Sequence, residues 1–287
     1  MVICIVGSPN EREEESSLFI SARDGYLHIV YQYDHAVQAG QVSTSWGNST
    51  FAKPERFESV CTAVRQHDIG WVESDREVLF NKQKGQPLNF IDIDVRRHVE
   101  LYEKGYRKVL AEDPYAGLLV GMHWIGLYTS RFGYDPTFTY SIPQEESAFM
   151  ESLVHDVQKS WTDIKMSLWD RKTPRSLFEE QLWMGYEMVQ IMDRLSQFVS
   201  LKPTSTTDVE WLGTMRLELK GPTVRMYARG LGNGTVVVEP FPFLDTVETE
   251  VICRKIPDIR YRSQEEARRA LESAEPERIK WRFVRSG

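Results

Sequence analysis

The stretch AVRQHDIGW, Ala63 to Trp71, decides how this chain is read. An amphipathic segment runs up to a histidine and an aspartate side by side, then breaks at Gly70. Neighbouring residues of a continuing helix point about 100° apart, so His67 and Asp68 cannot share one helical face. A helix that stops there, as the glycine suggests, lets both side chains turn toward a common centre. Imidazole and carboxylate together are a donor set for a transition metal.

Working outward, helical segments surround this pair. PERFESVCTAVRQHD opens with a proline, and YQYDHAVQAGQVSTSW before it stops at Gly47 and Asn48. Downstream, DIDVRRHVELYEKGYRKVL, DPYAGLLVGMHWIGLYTSRFG and RSLFEEQLWMGYEMVQIMDRLSQFVS read as helices. In PQEESAFMESLVHDVQKSWTDIKMSLWD the apolar positions Phe149, Leu153, Val157, Trp161, Ile164 and Leu168 form one stripe. The polar stretch from Trp71 to Asn89, with Gly85 and Pro87, reads as a long connection of the kind that covers active sites.

At both ends the pattern changes to strands. SLFISARDGYLHIV carries two apolar runs about Asp24-Gly25, a hairpin signal. From residue 208 onward VEWLGTMRLELKG, TVRMYARG, GTVVVEPFPF, VETEVICRKIP and RIKWRFV read as strands, with SQEEARRALESAE as a helix. The expected organisation is an N-terminal β-hairpin within 1–30, a helical domain over 31–203 and a β-rich subdomain over 208–287. The chain is mainly α in its metal-bearing part and α+β as a whole.

Four of the six histidines, His35, His67, His98 and His123, fall one per helix on successive predicted helices. A lone histidine is ordinarily a hydrogen-bonded residue near a helix end. Four in such order, one followed by aspartate, point instead to ligands gathered in a bundle core. His155 repeats the His-Asp pair but lies about 100° off its helix's apolar stripe, so it should face water. His28 sits among strand-like residues and is left out. Asp193 lies between Met192 and Leu195 on an apolar helix, and buried aspartates are rare unless paired or ligated.

Composition bounds the partners. A net charge of −7 without a basic run argues against nucleic acid. No stretch approaches the roughly 20 apolar residues of a membrane helix. The first residues lack the basic start and longer apolar core of a secretory leader. Three widely spaced cysteines, Cys4, Cys61 and Cys253, fit reduced thiols better than a disulfide framework. The expectation is a soluble cytoplasmic protein acting on a small molecule.

The ordered set His35, His67-Asp68, His98, His123 and Asp193 resembles the HD-domain superfamily of helical metalloenzymes, whose best-known tetrapeptide is HDIG. The chain is also similar to an HD-like family described only as a domain of unknown function, through Asp34-His35-Ala36, His67 to Trp71, and Pro240 to Phe243. Simple phosphohydrolases of the superfamily hold one metal through His, His-Asp and a final Asp. Dinuclear members, including the mixed-valent di-iron oxygenases of the myo-inositol oxygenase and phosphonate-cleaving types, add two histidines. That resemblance implies two metals bridged by Asp68, with His35, His67 and Asp193 on one and His98 and His123 on the other.

Two details favour the oxygenases. Trp71 stands where phosphohydrolases often have lysine, and Gln32, Asp34, His35, Ala36 and Gln38 resemble a pattern of the phosphonate-cleaving enzyme. The expectation is a di-iron oxygenase, Fe(II)/Fe(III), acting with dioxygen on a small chelating substrate; manganese or zinc also suits the donors. Trp71, Tyr128 and Phe241 would line its pocket, with Arg131 as a further substrate contact. The alternative is a metal-dependent phosphohydrolase, for which Arg131, Lys165 and Arg194 would supply cations.

Overall fold

The computed structural model describes residues 18–135 and 140–287. It opens with the expected hairpin, β1 (Leu18–Arg23) and β2 (Tyr26–Tyr31), paired antiparallel with Arg23 opposite Tyr26. Asp24 and Gly25 turn it with φ of 53° and 77°, the mirror-image turn that suits strand twist. The remainder of the predicted 1–30 segment, with Cys4, lies outside the described residues.

The chain passes from β2 straight into α1 (Gln32–Ser43), then α2 (Phe57–Gln66) and α3 (Val72–Glu77). The long connection expected between Trp71 and Asn89 is instead α3 and a two-residue-strand hairpin, β3 (Phe80–Asn81) and β4 (Gln86–Pro87). Its polar composition hides a structural purpose. The buried Asp75 carboxylate accepts the backbone N–H groups of Gln32 and Tyr33 at 3.3 and 3.1 Å, capping α1 from a distance.

The helices continue with α4 (Val95–Glu112), α5 (Pro114–Tyr128), α6 (Ser147–Leu168) and α7 (Arg175–Leu201). Asp94 and Asp113 cap α4 and α5 by accepting two backbone N–H groups each. Every residue of α5 from Tyr115 to Tyr128 is buried, as its all-round apolar sequence requires. It is the central helix.

The C-terminal part forms β5 (Val209–Arg216), β6 (Thr223–Gly230), β7 (Thr235–Glu239), β8 (Val247–Pro257), α8 (Gln264–Ser273) and β9 (Glu277–Val284). The N-terminal hairpin joins these strands in one seven-stranded sheet of order β1-β2-β8-β9-β7-β6-β5. All neighbours are antiparallel except β7 and β9. The architecture is α+β.

One hydrophobic core runs from helix to sheet, joining Trp71, Trp124 and Met188 to Val236, Trp281 and Phe283. A smaller core joins Leu27, Ile29 and Ile256 to Phe80 and to Ala267 and Leu271 of α8. Glu187 of α7 ties the layers together, accepting from Arg216 Nη2 at 2.7 Å, Nε at 2.9 Å and backbone N–H at 3.0 Å. Cys61 and Cys253 are free thiols. Among the described residues no helix is long and apolar enough to cross a membrane.

Candidate metal centre

The His-Asp pair lies where α2 gives out. His67 is the capping residue after Gln66, and Asp68 adopts φ −110° and ψ 21°, outside the helical region. Successive side chains therefore turn inward together. Gly70 makes this possible, because a Cβ there would meet the Leu101 carbonyl oxygen of α4 at 1.9 Å. His35 arrives from the first turn of α1 and Asp193 from the middle of α7. All four residues are at most 3% exposed.

Their donor atoms surround one point. His35 Nε2 is 3.1 Å from His67 Nε2, 3.6 Å from Asp68 Oδ2 and 3.3 Å from Asp193 Oδ1. His67 Nε2 is 3.4 Å from Asp68 Oδ2 and 3.5 Å from Asp193 Oδ1. Ligands about 2.1 Å from a common ion would stand roughly 3.0 to 3.4 Å apart in octahedral or tetrahedral arrangement. The observed spacing matches. Among the described residues, His35, His67 and Asp68 form a group with one donor each within 4.8 Å of one another, and Asp193 approaches both histidines.

The hydrogen-bond network assigns the tautomers. His67 Nδ1 donates to the Val64 carbonyl at 2.7 Å, leaving its Nε2 with a lone pair. Ser196 Oγ is 2.5 Å from Gln38 Oε1 and 3.0 Å from the His35 carbonyl, both acceptors of its single proton. It therefore accepts from His35 Nδ1 at 2.8 Å, and His35 Nε2 also carries a lone pair. Two lone pairs and two carboxylates meet in a dry interior, an arrangement that could hold a metal ion.

In the metal-free protein a proton takes that place. Burial opposes charge on His67, but Asp68 and Asp193 outweigh it and raise its pKa to about 9. Burial lifts Asp68 above the usual carboxylate range despite both histidines. Burial also opposes the charge on Asp193, yet the two imidazoles beside it, above all protonated His67, hold it well below that range. A metal must displace the His67 proton, so apparent zinc affinity should rise about tenfold per pH unit and level off near pH 9. Chelator-competition titrations between about pH 6.5 and pH 9.5 test this; a flat profile contradicts it.

His98 and His123 stand beside the centre with partners of their own. The His98 ring stacks on Tyr140 at 4.3 Å, and its Nδ1 is 2.5 Å from the Tyr128 hydroxyl. Burial lowers its pKa to about 3. The His123 ring lies 4.8 Å from that of His67, and its Nδ1 meets the Gln190 amide at 3.1 Å. Burial, then the charge of His67, holds His123 well below the usual range. Tyr102 donates to Asp68 Oδ1 at 2.9 Å, so a bridge to a second metal would have to share that oxygen with the hydroxyl.

Of the expected substrate contacts, Trp71 lies edge-on to His98 at 5.6 Å, and Tyr128 bonds to the same ring. Arg131 Nη2 is 3.5 Å from Asp193 Oδ2. Phe241 packs elsewhere, against Phe243 at 5.4 Å and beneath Arg285 at 5.6 Å, in the sheet layer. Lys165 pairs with Glu179, Arg194 with Asp135, and Asp34 with Arg254. His155 is exposed, as its position off the apolar stripe predicts, and His28 lies on β2 against Arg23.

Several supporting residues escape a reading by residue type, although spacing carries a trace of them. Ser196 and Gln197 follow Asp193 by three and four positions, the same helical face, and Gln197 donates to Asp193 Oδ1 at 2.8 Å. Tyr102 follows His98 by four. Groups that orient a ligand typically contribute 10- to 100-fold in metal affinity. Ser196→Ala should therefore weaken metal binding by about that factor without unfolding the chain. Unchanged affinity by competition titration would remove Ser196 from the site.

The family described as "Protein of unknown function (DUF3891)" matches residues 19–258. No curated protein and no solved structure matches the chain. The matched span holds the hairpin from Phe19 on, α1 to α7 and all six sequence-predicted metal ligands, and the chain belongs to the DUF3891 family.

Proposed function

We propose that the protein is a hydrolase of small molecules that uses one divalent transition metal held by His35, His67, Asp68 and Asp193. The observation that carries this reading is the four-donor centre in which Tyr102 already occupies the second oxygen of Asp68. When bound, the metal supplies Lewis acidity and an acidified water. The chain's own residues prepare that chemistry. Val64 and Ser196 fix the two imidazole tautomers, Tyr102 orients Asp68, and Gln197 with Arg131 orients Asp193. Trp71, Tyr102 and Tyr128 form an aromatic wall around His98 that limits water at the centre. The order His, His-Asp, Asp over α1, α2 and α7 supports an HD-type scaffold.

One observation favours the two-metal oxygenase. His98 and His123 flank the centre with each Nδ1 engaged, which leaves Nε2 as the remaining donor on both rings. That reading needs Tyr102 to share or release Asp68 Oδ1. Anaerobic reconstitution with iron, manganese or zinc, followed by metal counting, separates the two. One metal per chain, retained in His98→Ala, with turnover of a chromogenic ester without oxygen is the expected result. Two metals per chain and substrate-dependent oxygen consumption would replace it with the oxygenase.

A further inference from the structure

Beside the metal centre lies a small cleft between α7, β5 and the turn that ends α5. We infer that it binds a carboxylate group of the substrate, held by Arg131 and Arg194. This deepens the hydrolase reading by naming a substrate class, and rests on that reading only for its catalytic meaning.

The turn is the first observation. Ser130, Arg131 and Phe132 have φ of 50°, 52° and 57°, and Gly133 follows at 84°. Three consecutive non-glycine residues in the left-handed region are costly, and such strain concentrates at functional sites. Here it delivers a guanidinium, 4% exposed, to the cleft and to Asp193. On the opposite strand a bulge between Trp211 and Gly213 re-aims β5 along the cleft wall, another device common beside active sites.

Polar atoms without partners are the second observation. Tyr186 and Gln190 line the cleft at 2% and 6% exposure, and neither the Tyr186 hydroxyl nor Gln190 Oε1 has a hydrogen-bond partner among the described residues. Trp211 Nε1, on the facing strand, also lacks one. Buried polar groups left in this state call for a ligand or ordered water.

Charge and size name the ligand. The Arg194 guanidinium lies over the Trp211 ring at 5.5 Å, and its Nη1 bonds Asp135 at 2.8 Å. Glu187, the other carboxylate of the lining, is engaged by Arg216. The planar fork of arginine matches the two oxygens of a carboxylate. The cleft holds about 30 Å³, room for about two water-sized atoms. That suits a carboxylate better than a tetrahedral phosphoryl group. Gln190 reaches from this lining to His123, and Arg131 reaches to Asp193, so a seated carboxylate adjoins the metal centre.

Ligand-observed NMR titration of the full chain with acetate, and separately with inorganic phosphate, tests the assignment in zinc-loaded and chelator-treated protein. Acetate should bind in both states, at least tenfold more weakly in Arg194→Gln and about fivefold more weakly in Arg194→Lys, which keeps the charge opposite Asp135. His155→Ala should bind as the parent does. Acetate binding indifferent to both Arg194 variants overturns the subsite, as does binding that needs zinc. Phosphate binding tighter than acetate with the same Arg194 dependence overturns the carboxylate assignment. Failure to retain zinc with acetate binding intact would instead defeat the metal reading and leave the subsite standing.

Discussion

Asp68→Ala should lower zinc affinity by at least about 100-fold, more than the loss of a group that merely orients a ligand. In the proposed centre Asp68 would supply one of four donors and one of two charges facing the ion. A 100-fold loss at fixed zinc removes about 2.7 kcal/mol of metal-linked stability. The metal-free protein should respond differently. Burial already disfavours the Asp68 carboxylate there, so its removal relieves a cost while leaving the Tyr102 hydroxyl without its acceptor, a penalty of about 1–3 kcal/mol. The variant should thus lose most of its zinc-dependent shift in melting temperature while the metal-free melting temperature changes little. Parent-like zinc affinity in Asp68→Ala would refute the centre.

Gly70→Ala should be the most destabilising methyl group one can add near the site, at about 3 kcal/mol, the upper end for overpacking. The added carbon would collide with the Leu101 carbonyl, a backbone atom of α4 that no rotamer change can withdraw. Gly105 on α4 meets the same turn from the other side, where a Cβ would lie 2.9 Å from Gly70 N. The mutation therefore forces α4 away and takes His98 and Tyr102 with it. Urea denaturation measures the loss. Gly133→Ala is the control: a Cβ there has open space and only the strain of φ 84°, so about 1 kcal/mol is expected.

The helices that carry the metal ligands were legible because each has an apolar stripe and a polar stop, and because histidine and buried aspartate are uncommon on such faces. The same was true of the hairpin, whose Asp24-Gly25 turn requires left-handed backbone. Less was legible where the purpose of a residue depends on what lies across from it. The Trp71–Asn89 stretch reads as loop from composition, since neither the Asp75 contacts with α1 nor the Phe80 packing against α8 is local. Phe241 was expected at the pocket for being aromatic; it lies just beyond the end of β7 against Phe243, and aromatic character alone does not say which layer a side chain joins. Tyr102 matters most of these. No periodicity says that its hydroxyl would find Asp68, and the one-metal proposal leans on that bond.

No spacer divides β2 from α1: Tyr31 ends the strand and Gln32 begins the helix. His35 is thus about one helical turn from a strand locked to β8, and its imidazole is also reached from Thr249 of β8 through Gln38 and Ser196. Two routes, one covalent and one hydrogen-bonded, make the ligand and the sheet a single mechanical unit. A pull on β8 should be felt at a bound ion, and loading an ion should stiffen β8. Amide exchange in the middle of that strand, far from any donor atom, would accordingly slow when the site is filled.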